Sequence, residues 1–384
     1  MKRIGILTGG GDVPGLNAAI KSFVWRLADD HEILGLRRGW ASLLNIVPDP
    51  KADNSHWITP LTRMNTRAID RTGGTMLHTS RVNPSITKPE DIPEHLRGEM
   101  QNRDERGRFD LTGAALRTIN FLKLDALVAL GGDGTLTFAR RLDKEGVPIV
   151  AIPKTMDNDV YGTDYCLGFS TAVTRSVGFI NDLRTGAGSH ERYLIVELFG
   201  RYSGETCLLA SYLASTDRAV IAEVPFECEK LYGMLERDKR DNPSNYAVVA
   251  ISEGATMVGG QMIETGEADA YGNRRLGGVG GLLSDYLEKH SREKVIYQRL
   301  AYLMRSGAPD SLDQLVAFNF GSLAADLVKR GEAGKMIAVV DGRYNAVPIE
   351  IAATKKRVDV DRFYDPAEYR PKIANVMGMP MFLH

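Results

Sequence analysis

The sequence predicts an α/β protein whose parallel sheets are flanked by helices. Three observations predict it. Short apolar runs bounded by turn residues recur along the chain, as at 125–130 (DALVAL) and 147–152 (VPIVAI), the signature of strands buried on both faces. Between them lie segments with helical spacing, so strand and helix alternate and imply crossover connections. Glycine-rich or acidic loops follow the strands at the points where such folds bind ligands, the carboxyl ends of a parallel sheet. With 384 residues, the chain is long enough for two domains or two lobes around ample core.

Residues 3–8 (RIGILT) read as a strand and 16–28 as a helix, joined by Thr8-Gly9-Gly10-Gly11-Asp12-Val13-Pro14-Gly15. Glycines between a strand and a helix let the backbone approach an anion at the helix N-terminus; read alone, they also fit a tight turn without a ligand. Residues 88–110 are rich in charge and poor in large apolar side chains, which predicts an exposed insertion. Gly131-Gly132-Asp133-Gly134-Thr135 then places an acid inside a glycine turn. Asp133 suits a phosphate-bound Mg²⁺, and Thr135 is expected to N-cap the next helix. Alone, this motif also suits NAD kinases and lipid kinases.

Pro153-Lys154-Thr155-Met156-Asp157-Asn158-Asp159 ends the following strand. Phosphoryl transfer needs a base for the acceptor hydroxyl and cations for the moving group. Asp157 is the candidate base, Thr155 a substrate hydrogen-bonder and Lys154 a phosphate clamp. Phe169, Ala172, Val173, Val177, Ile180 and Leu183 share one helical face, and 193–198 (YLIVEL) and 246–252 (YAVVAIS) are further buried strands. The polar segment 259–275 reads as a surface loop or hairpin.

Composition removes several function classes. Lys+Arg 48 against Asp+Glu 49 leaves a formal net charge of −1, with no basic excess for nucleic acid or a membrane surface. No apolar run approaches the roughly 20 residues that span a bilayer, and the chain starts in a strand without room for a signal peptide. Cys166, Cys207 and Cys228 have no metal-ligand spacing and read as packing residues of a reduced compartment. A cytoplasmic protein is expected.

The ordered set GGGDVPGLN, GGTMLHTSR, GGDGT, PKTMDND, HERYLIVELFGRYSGE, ISEG and YLMRSGAPD resembles the 6-phosphofructokinase family over roughly residues 1–320. That resemblance implies two Rossmann-like lobes facing each other across a cleft that holds the active site. It implies a donor lobe of 1–168 plus about 304–354, and a sugar-phosphate lobe of about 169–303 plus 355–384. The implied reaction passes a phosphoryl group to the 1-hydroxyl of fructose 6-phosphate.

Carried over by motif, Gly11 and Arg81 serve the donor, together with Gly132, Gly134 and Thr135. Asp133 positions Mg²⁺, and Asp157 is the base flanked by Thr155 and Asp159. Arg201, after Phe199 and Gly200, bridges the moving group and the acceptor. Glu253 accepts sugar hydroxyls, Arg305 grips the 6-phosphate beside Tyr302, and Arg192 corresponds to an arginine lent by an adjoining subunit. A homodimer or homotetramer with shared sites is therefore expected.

Five positions depart from the family. Phe199 replaces a methionine, Tyr302 a histidine, and Ile296 an arginine for which Arg299 or Lys294 are the candidate substitutes. Lys21 and Trp25 stand where regulated bacterial members carry two effector-site arginines, which implies weak effector control of that kind. Lys154 is similar to the pyrophosphate-using branch, whereas Gly134 leaves room where pyrophosphate enzymes carry a second aspartate. ATP is the expected donor, with a pyrophosphate-dependent phosphotransferase as the alternative. A catalytically silent paralogue would require loss of Asp133 or Asp157, and both are present.

Overall fold

In the computed structural model, residues 1–99, 103–260, 262, 264–265, 275–373 and 376–382 are described. The first half supplies β1 (Lys2–Thr8), α1 (Leu16–Leu27), β2 (His31–Leu36), α2 (Ala41–Asn45), β3 (Ile58–Leu61), α3 (Thr112–Phe121), β4 (Ala126–Gly131), α4 (Asp133–Lys144) and β5 (Ile149–Pro153). The chain then builds α5 (Phe169–Ser189), β6 (Tyr193–Leu198), α6 (Glu205–Ala214), β7 (Arg218–Val220), α7 (Cys228–Asp241), β8 (Ala247–Ser252), β9 (Glu264–Thr265), β10 (Arg275–Leu276), α8 (Val279–Ser291) and β11 (Ile296–Arg299). It returns through α9 (Ser311–Arg330) to β12 (Lys335–Val340) and β13 (Arg343–Pro348).

Two main sheets result. One has the order β13-β12-β5-β4-β1-β2-β3, the other β11-β6-β8-β7. The second is parallel throughout. The first is parallel from β12 to β2, with antiparallel edges at β13 and β3. The runs that become central strands are apolar on both sides because helices cover both faces. In β4, Leu127 and Ala129 face the layer of α3 and α4, while Val128 and Leu130 face the opposite layer.

That opposite layer spans the molecule. Ile4, Ile6, Val128 and Ile152 of the first sheet share one core with Leu194, Val196 and Val248 of the second, through buried residues of α1, α5 and α9. Asp313 fastens this seam. Its buried carboxylate accepts from Tyr165 Oη at 2.6 Å, Gly168 N at 2.8 Å and Thr171 N at 2.8 Å, and so holds the first turn of α5 to α9. Burial pushes its pKa up to about 6. Lys21 pairs with Asp70 at 2.8 Å and lies over the Trp25 ring, so α1 has its own use for both side chains.

Segment 88–110 departs from expectation. Ile92, Leu96 and Phe109 are buried and form a satellite core with Leu44, Leu111 and Ala114. A few apolar side chains spaced among charges suffice to anchor it on the first sheet's helical layer; residues 100–102 lie outside the described residues. Of segment 259–275, β9 and β10 pair antiparallel as a hairpin does, and residues 266–274 lie outside the described residues. Cys166 and Cys207 are buried and Cys228 is half-buried, all free.

Candidate active site

Each sheet has a point where connections leave neighbouring strands in opposite directions, which opens a crevice at their carboxyl ends. In the first sheet β1 leads toward β2 while β4 leads toward β5; in the second, β6 leads toward β7 while β8 leads toward β11. The loops at the two crevices line one cleft of about 900 Å³. Glycine loops and carboxylates from one sheet meet arginines, aromatics and a carboxylate from the other across it.

On the first-sheet side, Gly11, Arg81, Gly132, Asp133, Gly134 and Thr135 all line the cleft. Asp133 opens α4, where a carboxylate complements the positive end of the helix. Thr135 is not the N-cap. The cap is Gly132, without a side-chain bond, and Thr135 lies inside the first turn. Its side chain seats against Gly9 and Gly131, where any Cβ would collide with it. Lys154 is buried, and its ammonium donates to the Gly11 carbonyl at 2.6 Å. Burial, then the nearby Arg305, pulls that ammonium down to about 8. The hydrogen bond holds this ammonium in place under the glycine loop.

Lys154, Thr155, Asp157 and Asp159 line the cleft beyond β5. Their placement depends on Asn158, which lies between the two acids with a left-handed φ of 53°, a conformation asparagine tolerates. Asn158 is fully buried. Its amide donates to the Asp164 carbonyl at 3.0 Å and the Glu205 carboxylate at 3.1 Å, and accepts from Cys166 N at 2.8 Å. The acids on either side thus face the cleft. Burial, then repulsion from Glu253, raises the pKa of Asp157; burial, then Asp157 itself, raises that of Asp159. Such a pair titrates as a unit.

From the second sheet, Phe199 and Arg201 follow β6 and Glu253 follows β8. Gly200 stands behind them with φ 145°, where a Cβ would strike Ser203 O and Ser252 Oγ; only glycine lets this turn close. Arg201 N approaches Asp157 Oδ2 at 3.5 Å. Glu253, nearly buried, has its pKa raised by burial against the lowering effect of Arg299. Arg299 spans Glu253 and the wholly buried Glu197, 3.1 Å from each. Of the two candidates for the arginine missing at Ile296, Arg299 lines the cleft; Lys294 is exposed and pairs with Glu288. Tyr302 and Arg305 also line it. The Arg305 guanidinium lies 4.6 Å from the Tyr302 ring centroid and 5.8 Å from that of Phe199, with Asp12 3.9 Å away. It packs against the glycine loop at Gly11.

Arg192 does not line this cleft. It precedes β6 while Arg201 follows that strand, so about 20 Å of extended chain separates them. Among the cleft residues outside the sequence-based candidates are Asp12, Tyr202 and Lys355. Asp12 sits inside the glycine loop and was legible there. Lys355 carried no signal, because its motif neighbours are two hundred residues earlier in the chain.

Among the described residues no three His, Cys, Asp or Glu side chains gather as a metal cage. Mg²⁺ is usually bound through one or two carboxylates plus substrate phosphates, and Asp133 beside open glycine amides fits that donor set. Among the described residues no helix is long and apolar enough to cross a membrane.

Cations around a glycine-lined crevice, facing paired buried acids, fit the chemistry of a phosphotransferase. Residues 3–328 match the family model for phosphofructokinase, and the chain belongs to the phosphofructokinase family. A pyrophosphate–fructose 6-phosphate 1-phosphotransferase of Dictyoglomus thermophilum is 37% identical over 96% of this chain and 96% of its own. An ATP-dependent 6-phosphofructokinase 3 of Streptomyces coelicolor is 36% identical over 95% of this chain and 99% of its own. In solved structures, the pyrophosphate-dependent phosphofructokinase of Nitrosospira multiformis aligns with a TM-score of 0.74 at 14% identity, covering 97% of this chain and 89% of that one. Phosphofructokinase from Saccharomyces cerevisiae aligns at 0.71 and 22% identity, covering 92% of this chain but 45% of that longer one. At such identities these structures show the fold alone.

Proposed function

We propose that this phosphofructokinase transfers the γ-phosphoryl group of ATP to the 1-hydroxyl of fructose 6-phosphate in the cytoplasm. In this reading the lobe built on the seven-stranded sheet holds the donor and the second lobe holds the acceptor. Gly11, Arg81, Gly132, Gly134 and Thr135 line the donor path. Asp133 holds Mg²⁺, which when bound offsets charge on the donor phosphates. Asp157 takes the proton of the acceptor hydroxyl, and Thr155 and Asp159 flank that oxygen. Arg201 bridges to the moving phosphoryl group. Glu253 accepts sugar hydroxyls, and Arg305, with Arg299 and Tyr302, completes the acceptor end. The observation that carries the reading is the approach of the β6–α6 loop to Asp157, a buried carboxyl of raised pKa, which supports its role as the base.

ATP is favoured as donor because the residue after Asp133 is glycine. A carboxylate there would crowd and repel the α-phosphate of a nucleotide. The second reading, pyrophosphate, is supported by Lys154, whose ammonium is held in place under the glycine loop. Gly134 is the stronger determinant, since repulsion and a steric clash act against ATP directly whereas a fixed cation attracts either donor. A coupled assay with fructose 6-phosphate should show faster turnover on ATP than on pyrophosphate. Gly134→Asp should lower ATP use by about tenfold or more, for which about 1.4 kcal/mol suffices. Faster wild-type turnover on pyrophosphate would reverse the donor assignment.

Arg192, half-buried at the far end of β6, fits a residue offered to a neighbouring subunit's acceptor site. The protein should accordingly be a dimer or tetramer with shared sites. Mixing Arg192→Ala chains with Asp157→Ser chains should restore part of the activity; sedimentation of a fully active monomer would refute the shared site.

A further inference from the structure

The carboxylate proposed for the metal already has a cation beside it. Lys355 Nζ lies 2.9 Å from Asp133 Oδ2 and 3.7 Å from the Tyr202 ring centroid. It is close enough to Asp157 and Asp159 to favour the ionised form of both. Lys355 comes from a strap at 355–358 that crosses the base loop. Lys355 bridges Val160, Lys356 N donates to Asp159 O at 2.9 Å, and Lys356 Nζ donates to the carbonyl of Thr163 at 3.0 Å. Val358 N donates to Glu223 Oε1 at 3.1 Å. The backbone of Lys355 is thus pinned at the acids while its side chain remains 38% exposed. It also lines a second cavity of about 470 Å³ beyond the strap, so the side chain has room to change partners.

An exposed ion pair of this kind adds little stability, with a median of about 0–1 kcal/mol. The strap's investment in placing a lysine here calls for another role. Asp133 cannot serve Lys355 and a metal ion equally, and a lysine is a compact charge on a flexible stem suited to phosphate oxygens. We propose that Lys355 is a phosphate-binding residue of the donor site that exchanges the Asp133 carboxylate for the donor's phosphate oxygens when the metal takes that carboxylate. This rests on the phosphotransferase reading above. Lys154 then meets the donor from beneath the glycine loop and Lys355 from the strap, two cations far apart in the chain.

The test is calorimetric binding of ATP and of pyrophosphate, each with saturating Mg²⁺, to wild type, Lys355→Met and Lys355→Arg. Lys355→Met should weaken both by about tenfold or more, as loss of a charge-assisted bond to phosphate requires. Lys355→Arg should recover most of that loss. Mn²⁺ titrated alone should bind Lys355→Met at least as tightly as wild type, since the competing cation is gone. Equal donor affinity in Lys355→Met and wild type would overturn the inference while leaving the functional reading intact. Equal losses in the Met and Arg variants would also overturn it, by showing that the stem against Tyr202 matters and the charge does not. A wild-type chain that binds neither donor would overturn the functional reading itself.

Discussion

Asp157→Ser is expected to lower kcat by at least ~10²-fold with a much smaller change in KM. A serine leaves the cations, Glu253 and the glycine loops in place and removes only the group proposed to take the hydroxyl proton, an interaction gained in the transition state. Near-normal kcat in this variant would show that another group is the base. The same residue sets a pH dependence. A base acts only when ionised, and Asp157 and Asp159 both titrate above the ordinary carboxylate range because they are buried near other acids. For the free enzyme, kcat/KM should therefore rise with pH along a limb displaced upward from the ordinary aspartate value of about 3.9. Glu253→Gln removes the negative neighbour that raises Asp157, so Asp157 should ionise more readily and the limb should move to lower pH. A limb that stays put in Glu253→Gln would show that the two acids do not interact in the working enzyme.

Asn158→Leu should cost stability as well as activity. The side chain is fully buried, and its loss removes hydrogen bonds to the Glu205 carboxylate and the Asp164 carbonyl and the acceptor of the Cys166 N–H. A lost hydrogen bond costs about 0.5–1.5 kcal/mol, more when one partner is charged, so a total of about 2–4 kcal/mol is expected. Leucine at a left-handed φ adds about 1–2 kcal/mol that asparagine largely avoids. A depressed calorimetric midpoint, with low kcat in the fraction that remains folded, is the outcome that fits. A wild-type midpoint would mean that the loop between Asp157 and Asp159 is held by other contacts.

The sequence by itself determined the class of fold, the cleft loops and most of the side chains in them. Those features are local. An apolar run between turn residues is legible wherever it ends, and a glycine turn or an Asp-Asn-Asp triplet keeps its chemistry within a few residues. The pattern placed Asp133 and Asp157 after neighbouring parallel strands, which β4 and β5 are. It also placed Arg201 and Glu253 after β6 and β8, which pair in register at the same cleft.

Other assignments needed the tertiary structure. Thr135 was expected as a cap because it follows a glycine turn, yet α4 begins two residues earlier and uses that threonine to fill the space between two glycine loops. Segment 88–110 looked exposed on composition, although three of its apolar side chains reach a shared satellite core. Arg299 was only a candidate until its two carboxylate partners, one from β6 and one following β8, came together around it. Lys355 could not be found from sequence at all. Its partners Asp133 and Tyr202 follow strands of different sheets, and it reaches them because the strap's backbone pairs with Val160 and Asp159. Local patterns decide which residues can do chemistry, whereas the closure of long chain loops decides which charges share a cleft.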